Sequence, residues 1–192
     1  VDVGDAPVHV WQDAAVSWAL LDAARLANDP DFRRRGICET KWPGRYESLL
    51  ADKTLVVLDG AHNPAGMTAF VLALRADRRM QRCPKALVFG CTQGHDAGPL
   101  LECWAGNTPD YVVVTQAKAP RSQPAEHVAA ACAKVLNNKG VVEPNVGCAL
   151  DLALTWARQE EGVVVVCGSL YLVGEARQRF VPGPVDPILP RY

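Results

Sequence analysis

Three short segments of the sequence carry side chains that could bind an anion or a nucleotide. In the first, residues 54–70 (TLVVLDGAHNPAGMTAF), an apolar run ends in Asp59, a turn follows, and a helical pattern begins near Asn63. If the run is a strand of an open α/β sheet, Asp59, His62 and Asn63 lie at its carboxyl end, beside a helix N-terminus that favours anions. This grouping suits a ligand that carries a phosphate or a carboxylate. An equally good interpretation on the residues alone is that Asp59 and Asn63 cap turns and His62 is satisfied locally.

The other two segments contribute one polar side chain each. Residues 163–177 (VVVVCGSLYLVGEAR) again pass from an apolar run through a small-residue turn into a helical pattern, with Ser169 at the turn. The Ser169 hydroxyl could meet a ligand, but an N-cap role is favoured. Residues 42–47 (WPGRYE) place Arg45 directly after a Pro-Gly turn. Its guanidinium could hold a phosphate in a bidentate manner, although an exposed arginine is more often a solvated charge.

The remaining candidates carry weaker signals. His9, His95 and His127 have no evident partners in the sequence and are interpreted as surface or structural residues. Cys91 and His95 could share a metal, but no second pair of ligands stands near them, so no metal site is predicted. The sequence contains neither GxxxxGK[ST] nor GxGxxG, and therefore no phosphate-cradling loop of a P-loop ATP enzyme.

Alternating strands and helices are predicted to position these segments. Val-rich, continuously apolar runs predict strands covered on both faces, at residues 55–58, 86–89, 111–114 and 163–167. Helical patterns lie between and after them, at residues 64–76, 97–105, 124–136, 147–160 and 169–180. This order predicts an α/β fold with a Rossmann-like, mostly parallel sheet, right-handed crossovers and helices on both faces.

The two ends of the chain follow other patterns. Residues 13–27 predict an amphipathic or buried helix whose apolar face contains Val16, Ala19, Leu20, Ala23, Leu26 and Ala27. Residues 28–30 (NDP) end it, and the charged residues 31–35 are expected to form a solvated connector. The Pro-rich tail from Pro182 is expected to be irregular.

Composition narrows the class of protein. The 192 residues are 49% apolar, and 20 Lys+Arg against 21 Asp+Glu give a net charge of −1. A basic excess that would favour nucleic acid or a membrane surface is absent, so a small-molecule partner is expected. The seven cysteines are odd in number and well separated, without a CxxC pair, which indicates a reduced, cytoplasmic protein.

Taken together, the segments LDGAHNP, WPGRYE and GSLYLVGEAR resemble the hallmark segments of folylpolyglutamate synthase and dihydrofolate synthase, in the Mur ligase superfamily. Residues 119–122 (APRS) also resemble a short segment that follows a middle strand in these enzymes. The resemblance spans nearly the whole chain but only about the last half of such an enzyme. It implies that residues 1–40 end a central ATPase domain and that residues 41–192 form a C-terminal glutamate-ligase domain.

The resemblance also implies a reaction and a set of site residues. ATP would phosphorylate a folate or dihydropteroate carboxylate, and the amine of L-glutamate would then form the amide. Arg45, Asp59, Asn63 and Asp13 would contact the nucleotide, and His62 and Ser169 would lie near the incoming glutamate as the catalytic pair. Asp59 and His62 are expected to face the cleft between two domains. Magnesium ligands are expected mainly in the N-terminal part that this chain lacks.

Two departures from the family pattern affect these expectations. Asp13 stands where the resembling enzymes usually carry a nucleotide-contacting asparagine, and an aspartate cannot donate the amide N–H. Residues 94–96 (GHD) stand where an Asp-Lys-Asp segment is usual, so the lysine is lost. The chain is expected to be a monomer and to be inactive alone. The alternatives are a stand-alone, non-catalytic binding domain and a Mur-type ligase that uses another amino acid.

Overall fold

The computed structural model describes residues 8–26, 29–40, 42–138 and 140–181. Two N-terminal helices, α1 (Val8–Ala23) and α2 (Pro30–Glu39), precede a region in which strands and helices alternate. The strands are β1 (Glu47–Ala51), β2 (Thr54–Leu58), β3 (Lys85–Phe89), β4 (Tyr111–Val114), β5 (Val141–Val142) and β6 (Val163–Cys167). The later helices are α3 (Pro64–Ala76), α4 (Ala97–Glu102), α5 (Ala125–Val135), α6 (Val146–Gln159) and α7 (Leu170–Arg177), with one 3₁₀ turn at Arg78–Met80.

The strands form one six-stranded sheet in the order β1-β2-β6-β3-β4-β5. Only β1 is antiparallel, and it pairs with β2 in a hairpin; the other neighbours are parallel. Every residue of β6 is buried, because this strand lies between β2 and β3 and is covered on both faces. The predicted Rossmann-like, mostly parallel α/β fold is therefore confirmed.

The side chains of the strands alternate between two hydrophobic clusters. One cluster joins the sheet to α3, α4 and α5 and contains Phe70 and Trp104, which are fully buried. The other joins the opposite face to α6 and α7. In β6 this alternation sends Val165 to the first cluster and Val164 to the second. The helices therefore cover both faces of the sheet, as the sequence predicts.

The chain leaves neighbouring strands toward different faces at the carboxyl edge of the sheet. β6 continues into α7 on one face, whereas its neighbours β2 and β3 continue into α3 and α4 on the other face. The helix that follows β6 thus lies on the opposite face of the sheet from the helices that follow its two neighbours. In open α/β sheets, ligands bind at such topological switch points.

Two expectations for the N-terminal region were wrong. Residues 31–35 are not a solvated connector but part of α2, which Asp29 caps by accepting the N–H groups of Asp31 and Phe32. The predicted apolar face of α1 is not covered among the described residues, since Val16 and Leu20 are 59% and 64% exposed. The reason is that α1 packs against α2 and α3 at the side of the molecule and lies outside both layers of the sheet.

The sequence also missed the edge strands β1 and β5. β1 is half-exposed with alternating burial, and β5 has only two residues, both exposed, so neither shows the continuous apolar run of a central strand. The tail from Pro182 lies outside the described residues. In the described part of the chain, no helix combines the length and the apolar character needed to cross a bilayer.

Candidate functional site

The candidate site lies at the carboxyl edge of the sheet, around the loops that follow β2, β6, β3 and β4. One backbone hydrogen bond joins the loops after β2 and β6, since the N–H of Gly168 donates to Ala61 O at 3.0 Å. A second, from the N–H of Asp59 to Val166 O at 3.0 Å, joins the first of these loops to β6 itself. The segments that carry His62 and Ser169, separate in sequence, therefore form one structural unit.

Asp59 occupies the predicted end of β2, but it is only 6% exposed. Its carboxylate accepts the backbone N–H of Tyr46 through Oδ2 and that of Ala61 through Oδ1, each at 2.8 Å. Both oxygens therefore receive backbone donors, and the expectation that Asp59 faces the cleft between two domains stays a prediction. Its position fastens the Arg45-bearing loop to the end of β2.

His62 is half-buried and has a defined orientation. Its Nδ1 lies 2.8 Å from Gly60 O, and because a carbonyl only accepts, Nδ1–H is the donor. Nε2 is therefore the nitrogen that remains for a ligand. The local turn fixes the ring, as the alternative interpretation of a locally satisfied His62 predicts, and the role of His62 beside a substrate stays a prediction.

His95, which the sequence analysis placed among surface or structural residues, lies beside His62. The two ring centroids are 5.7 Å apart with the planes at 76°, an edge-to-face arrangement. His95 follows β3, which is separated from β2 only by β6. The signal that could have revealed it is its place shortly after a buried strand, the same kind of position that singled out His62.

A short antiparallel bridge joins the loops that follow β3 and β4. Thr92 pairs with Ser122, and the N–H of Gln93 donates to Arg121 O at 2.6 Å. The Gln123 side chain crosses between the loops, with Nε2 donating to Thr92 O at 3.0 Å and to His95 O at 2.5 Å. This bridge holds the His95 loop in place.

The same pair of loops presents an arginine. Arg121 is exposed, and its guanidinium has no hydrogen-bond or ion-pair partner among the described residues. A Cβ built on Gly94 would lie 3.8 Å from its Nη2, which places Arg121 against the His95 loop. The adjacent Ser122 Oγ is buried and has no partner in the described structure. The edge thus combines two imidazoles and a guanidinium.

Ser169 and Asn63 serve as helix caps. Ser169 Oγ accepts the N–H groups of Tyr171 at 3.2 Å and Leu172 at 3.5 Å, which confirms the favoured capping interpretation. The residue is 2% exposed. Asn63 caps α3, as predicted, because its Oδ1 accepts the N–H of Gly66 at 2.8 Å. The amide nitrogen of Asn63 has no partner in the described part of the chain.

Arg45 and Asp13 contact each other at the side of this edge. Arg45 Nη2 lies 2.6 Å from Asp13 Oδ2, and the two side chains are 48% and 57% exposed. The Arg45 loop is anchored to β2, since Gly60 N–H donates to Gly44 O at 2.8 Å. The two predicted nucleotide-contacting residues are therefore brought together, with each neutralising the other.

No group of three or more His, Cys, Asp or Glu side chains that could hold a metal ion occurs within residues 8–26, 29–40, 42–138 and 140–181. Near His95, burial raises the pKa of the Cys91 thiol to about 12. Cys91 is thus a neutral thiol at physiological pH when no metal is bound.

Comparison with known proteins identifies the family of this chain. A sequence model described as "Mur ligase, glutamate ligase domain" matches residues 44–170. A probable bifunctional folylpolyglutamate synthase/dihydropteroate synthase of Halobacterium salinarum is 35% identical over 178 residues, which are 90% of this chain and 20% of that protein.

Two solved structures share the fold. Mycobacterium tuberculosis folylpolyglutamate synthase, complexed with ADP and AMPPCP, superimposes with a TM-score of 0.75 at 25% identity, over 86% of this chain and 38% of that one. E. coli FolC in complex with DHPP and ADP gives a TM-score of 0.74 at 26% identity, with the same coverage of 86% and 38%. The chain thus spans well under half the length of these proteins. Since the family match extends over more than half of the chain, the protein belongs to the Mur ligase family and contains its glutamate ligase domain.

Proposed function

We propose that this chain is the glutamate-ligase part of a longer ATP-dependent enzyme that adds L-glutamate to a carboxylate of a folate or of dihydropteroate. The observation that carries the proposal is the cluster of the His62, His95 and Arg121 side chains at the switch point of the sheet. Such a cluster suits an anionic amino acid. The identity of the relatives supports folate chemistry.

The proposed reaction has two steps. ATP transfers its γ-phosphoryl group to the acceptor carboxylate, giving an acyl phosphate and ADP. The amine nitrogen of L-glutamate then attacks the acyl carbon, the C–N bond forms as the C–O bond to phosphate breaks, and the nitrogen releases a proton. His62 and Ser169 are the residues we assign to the glutamate side of this step. Preorganised donors at this edge would stabilise the negative charge that develops.

Arg45 is the residue best suited to a nucleotide phosphate, since its half-exposed guanidinium lies at the side of the site. In this proposal Arg45 exchanges Asp13 for the phosphate, while Asn63 contributes its unpaired amide nitrogen. Asp59 acts mainly by holding the Arg45 loop through Tyr46 N–H. No described cluster fits Mg²⁺, so we assign the metal ligands to the ATPase domain.

The domain assignment belongs to the same proposal. Residues 1–40 would end the central ATPase domain and residues 41–192 would form the ligase domain, which includes the matched residues 44–170. The chain alone would be inactive because it contains no P-loop. We further propose a monomeric, cytoplasmic enzyme with small-molecule substrates, and without nucleic-acid or membrane partners.

The test is an assay of the complete polypeptide encoded by the reading frame that contains this chain. We expect ADP release that depends on both L-glutamate and either dihydropteroate or a folate, with background release from residues 1–192 alone. A complete polypeptide without a P-loop or without glutamate-dependent ADP release would contradict the proposal, as would turnover by residues 1–192. Replacing L-glutamate with other amino acids in the same assay distinguishes a glutamate ligase from a Mur-type ligase that uses another amino acid.

A further inference from the structure

We propose that a groove between α6 and the β4–β5 edge of the sheet binds a small molecule that combines a planar aromatic ring with a cationic group, such as an aromatic amine. The residues that line this groove are distinct from those of the candidate functional site, and the inference does not depend on the proposed function. The groove has a volume of about 480 Å³. That volume lies within the range of small-molecule sites, roughly 300–1,000 Å³.

The first argument is the shape of the groove. One wall is a single face of α6, whose lining residues are spaced by three or four positions: Cys148, Leu152, Thr155 and Gln159. At 1.5 Å per residue, this wall is about 16 Å long. The other wall includes Tyr111 at the start of β4 and Glu143 directly after β5. The groove is therefore long enough for a ligand with two chemically different ends.

The second argument is an aromatic surface in the groove. The rings of Tyr111 and Trp156 are stacked, with centroids 5.3 Å apart and planes at 12°. Both residues are half-buried and line the groove, so part of each ring is open to a ligand. Leu152, which is 38% exposed, extends this apolar surface along α6. A planar ring packed here gains both burial and offset stacking.

The third argument is the charge of the lining. Within the described part of the chain, the groove is lined by two carboxylates, Glu143 and Asp151, and by no lysine or arginine. Asp151 Oδ1 accepts from Arg179 Nη2 at 3.0 Å, whereas Glu143 Oε1 accepts only the backbone N–H of Asn145, at 2.9 Å. The N–H of Glu143 donates to Val114 O at 2.9 Å, which fixes the residue beside the sheet. A cationic group is therefore favoured next to the Glu143 carboxylate.

The competing explanation is that Tyr111 and Trp156 only close the end of α6 against β4. Three probes separate the two explanations. Tryptamine carries an aromatic ring and an ammonium group, indole-3-propionate carries the same ring with a carboxylate, and butylamine carries an ammonium group without a ring. Arg158→Ala is a matched control on the same helix, since Arg158 lies outside the groove and pairs with Asp52 at the opposite edge of the sheet from the candidate functional site, near the C-terminus of α6.

The first measurement is calorimetric titration of residues 1–192 with each probe. We expect tryptamine to bind with a Kd of about 1 mM or below, and the other two probes to bind about 10-fold or more weakly. Trp156→Ala and Glu143→Gln should each raise the Kd of tryptamine about fivefold or more, because one removes the ring surface and the other the charge. Trp156→Phe, which keeps a ring, and Arg158→Ala should stay within about threefold of wild type.

The second measurement locates the probe. Cys148 is exposed and lines the groove, whereas Cys38 is exposed on α2. Saturating tryptamine should slow alkylation of Cys148 by the neutral reagent iodoacetamide about threefold or more and leave Cys38 unchanged.

Equal affinity for the three probes would overturn the proposal, as would an absence of binding at about 10 mM tryptamine or unaltered alkylation of Cys148. Melting temperatures check the folding of each variant. If Trp156→Ala lowers the melting temperature, Glu143→Gln decides the question, because this side chain is half-exposed outside the core. An unchanged Kd in Glu143→Gln would then contradict the proposal.

Discussion

The carboxylate of Asp59 accepts the backbone N–H of Tyr46 at 2.8 Å, and this contact joins the Arg45 loop to the end of β2. The other oxygen accepts the N–H of Ala61 at 2.8 Å. Asp59, which resembles a nucleotide-contacting residue, thus also acts as a structural clamp, meaning that its carboxylate holds two loop segments together. Its substitution should therefore affect stability as well as turnover.

We expect Asp59→Ala to lower the free energy of unfolding of residues 1–192 by about 2 kcal/mol or more, since two backbone N–H groups lose their acceptor. Urea unfolding measures the change. Asp151→Ala is the matched control, because Asp151 pairs with Arg179 on the surface, where both side chains are more than half exposed, and should cost less than about 1 kcal/mol. Equal stability of Asp59→Ala and wild type would disprove the clamp.

The turn between β6 and α7 depends on Gly168, whose φ is +102°. A Cβ built there would lie 2.5 Å from Gly90 O and 2.7 Å from Phe89 Cε2. We expect Gly168→Ala to destabilise the protein by about 2 kcal/mol or more, through backbone strain and overpacking. Gly174→Ala in α7, where nothing lies within 4 Å, should leave stability unchanged or raise it. Similar thermal unfolding of the two variants would contradict this account.

The acid stability of the protein should depend on Asp77. Hydrogen bonds from Arg79, together with one from the Tyr46 hydroxyl, hold the pKa of the Asp77 carboxyl below its usual value. A carboxyl whose pKa is lower when folded stabilises the fold above its unfolded pKa, and the stabilisation is lost as the pH falls.

We therefore expect Asp77→Asn to unfold more easily than wild type at neutral pH, with the difference shrinking as the pH falls from about 5 to about 2. Urea unfolding across this pH range measures it. Asp151→Ala again serves as the surface control, because its ion pair with Arg179 is more than half exposed. If the difference in free energy of unfolding between Asp77→Asn and wild type stays constant or increases in acid, the lowered pKa of Asp77 is refuted.

The seven cysteines should react in order of exposure. Cys38 and Cys148 are exposed, whereas Cys91, Cys132 and Cys167 are buried. Burial raises the pKa of Cys91 and Cys132 to about 12 and that of Cys167 well above its usual value. Because the thiolate is the nucleophile, we expect the three buried thiols to resist a disulfide reagent at pH 8 until urea is added.

Mass spectrometry of the native, labelled protein identifies the modified residues. Cys148→Ser should remove one rapidly reacting equivalent and leave the slow phase unchanged. Rapid labelling of Cys132 in the folded protein would contradict the packing of α5 against the sheet.

The central strands could be predicted from the sequence because burial on both faces leaves continuous Val-rich runs, as in β4 and β6. The edge strand β1 leaves no such run, since alternate residues are exposed. The start of helix α2 has an N-cap signal, Asp29 followed by Pro30. The charged residues after it nevertheless led to the prediction of a solvated connector. A half-exposed helix without an apolar stripe is hard to distinguish from a loop.

The residues of the candidate site also fall into a group that local sequence predicts and a group that it does not. Asp59, His62 and Asn63 are neighbours in sequence, so a single strand–turn–helix pattern located all three. The contact between His62 and His95 depends on the strand order, in which β6 lies between β2 and β3. No local sequence pattern predicts that order. The ion pair of Arg45 with Asp13, 32 positions apart, is equally non-local. Both contacts are therefore recognised only from the three-dimensional structure.

The central claim is that the carboxyl edge of this sheet is where L-glutamate is joined to its acceptor. The most direct measurement is the rate of incorporation of labelled L-glutamate by the complete ligase, compared between wild type, His62→Ala and Arg158→Ala. We predict a rate about 10-fold or more lower for His62→Ala, equivalent to about 1.4 kcal/mol of transition-state stabilisation, and a wild-type rate for Arg158→Ala at the opposite edge. Equal rates for all three proteins would contradict the claim.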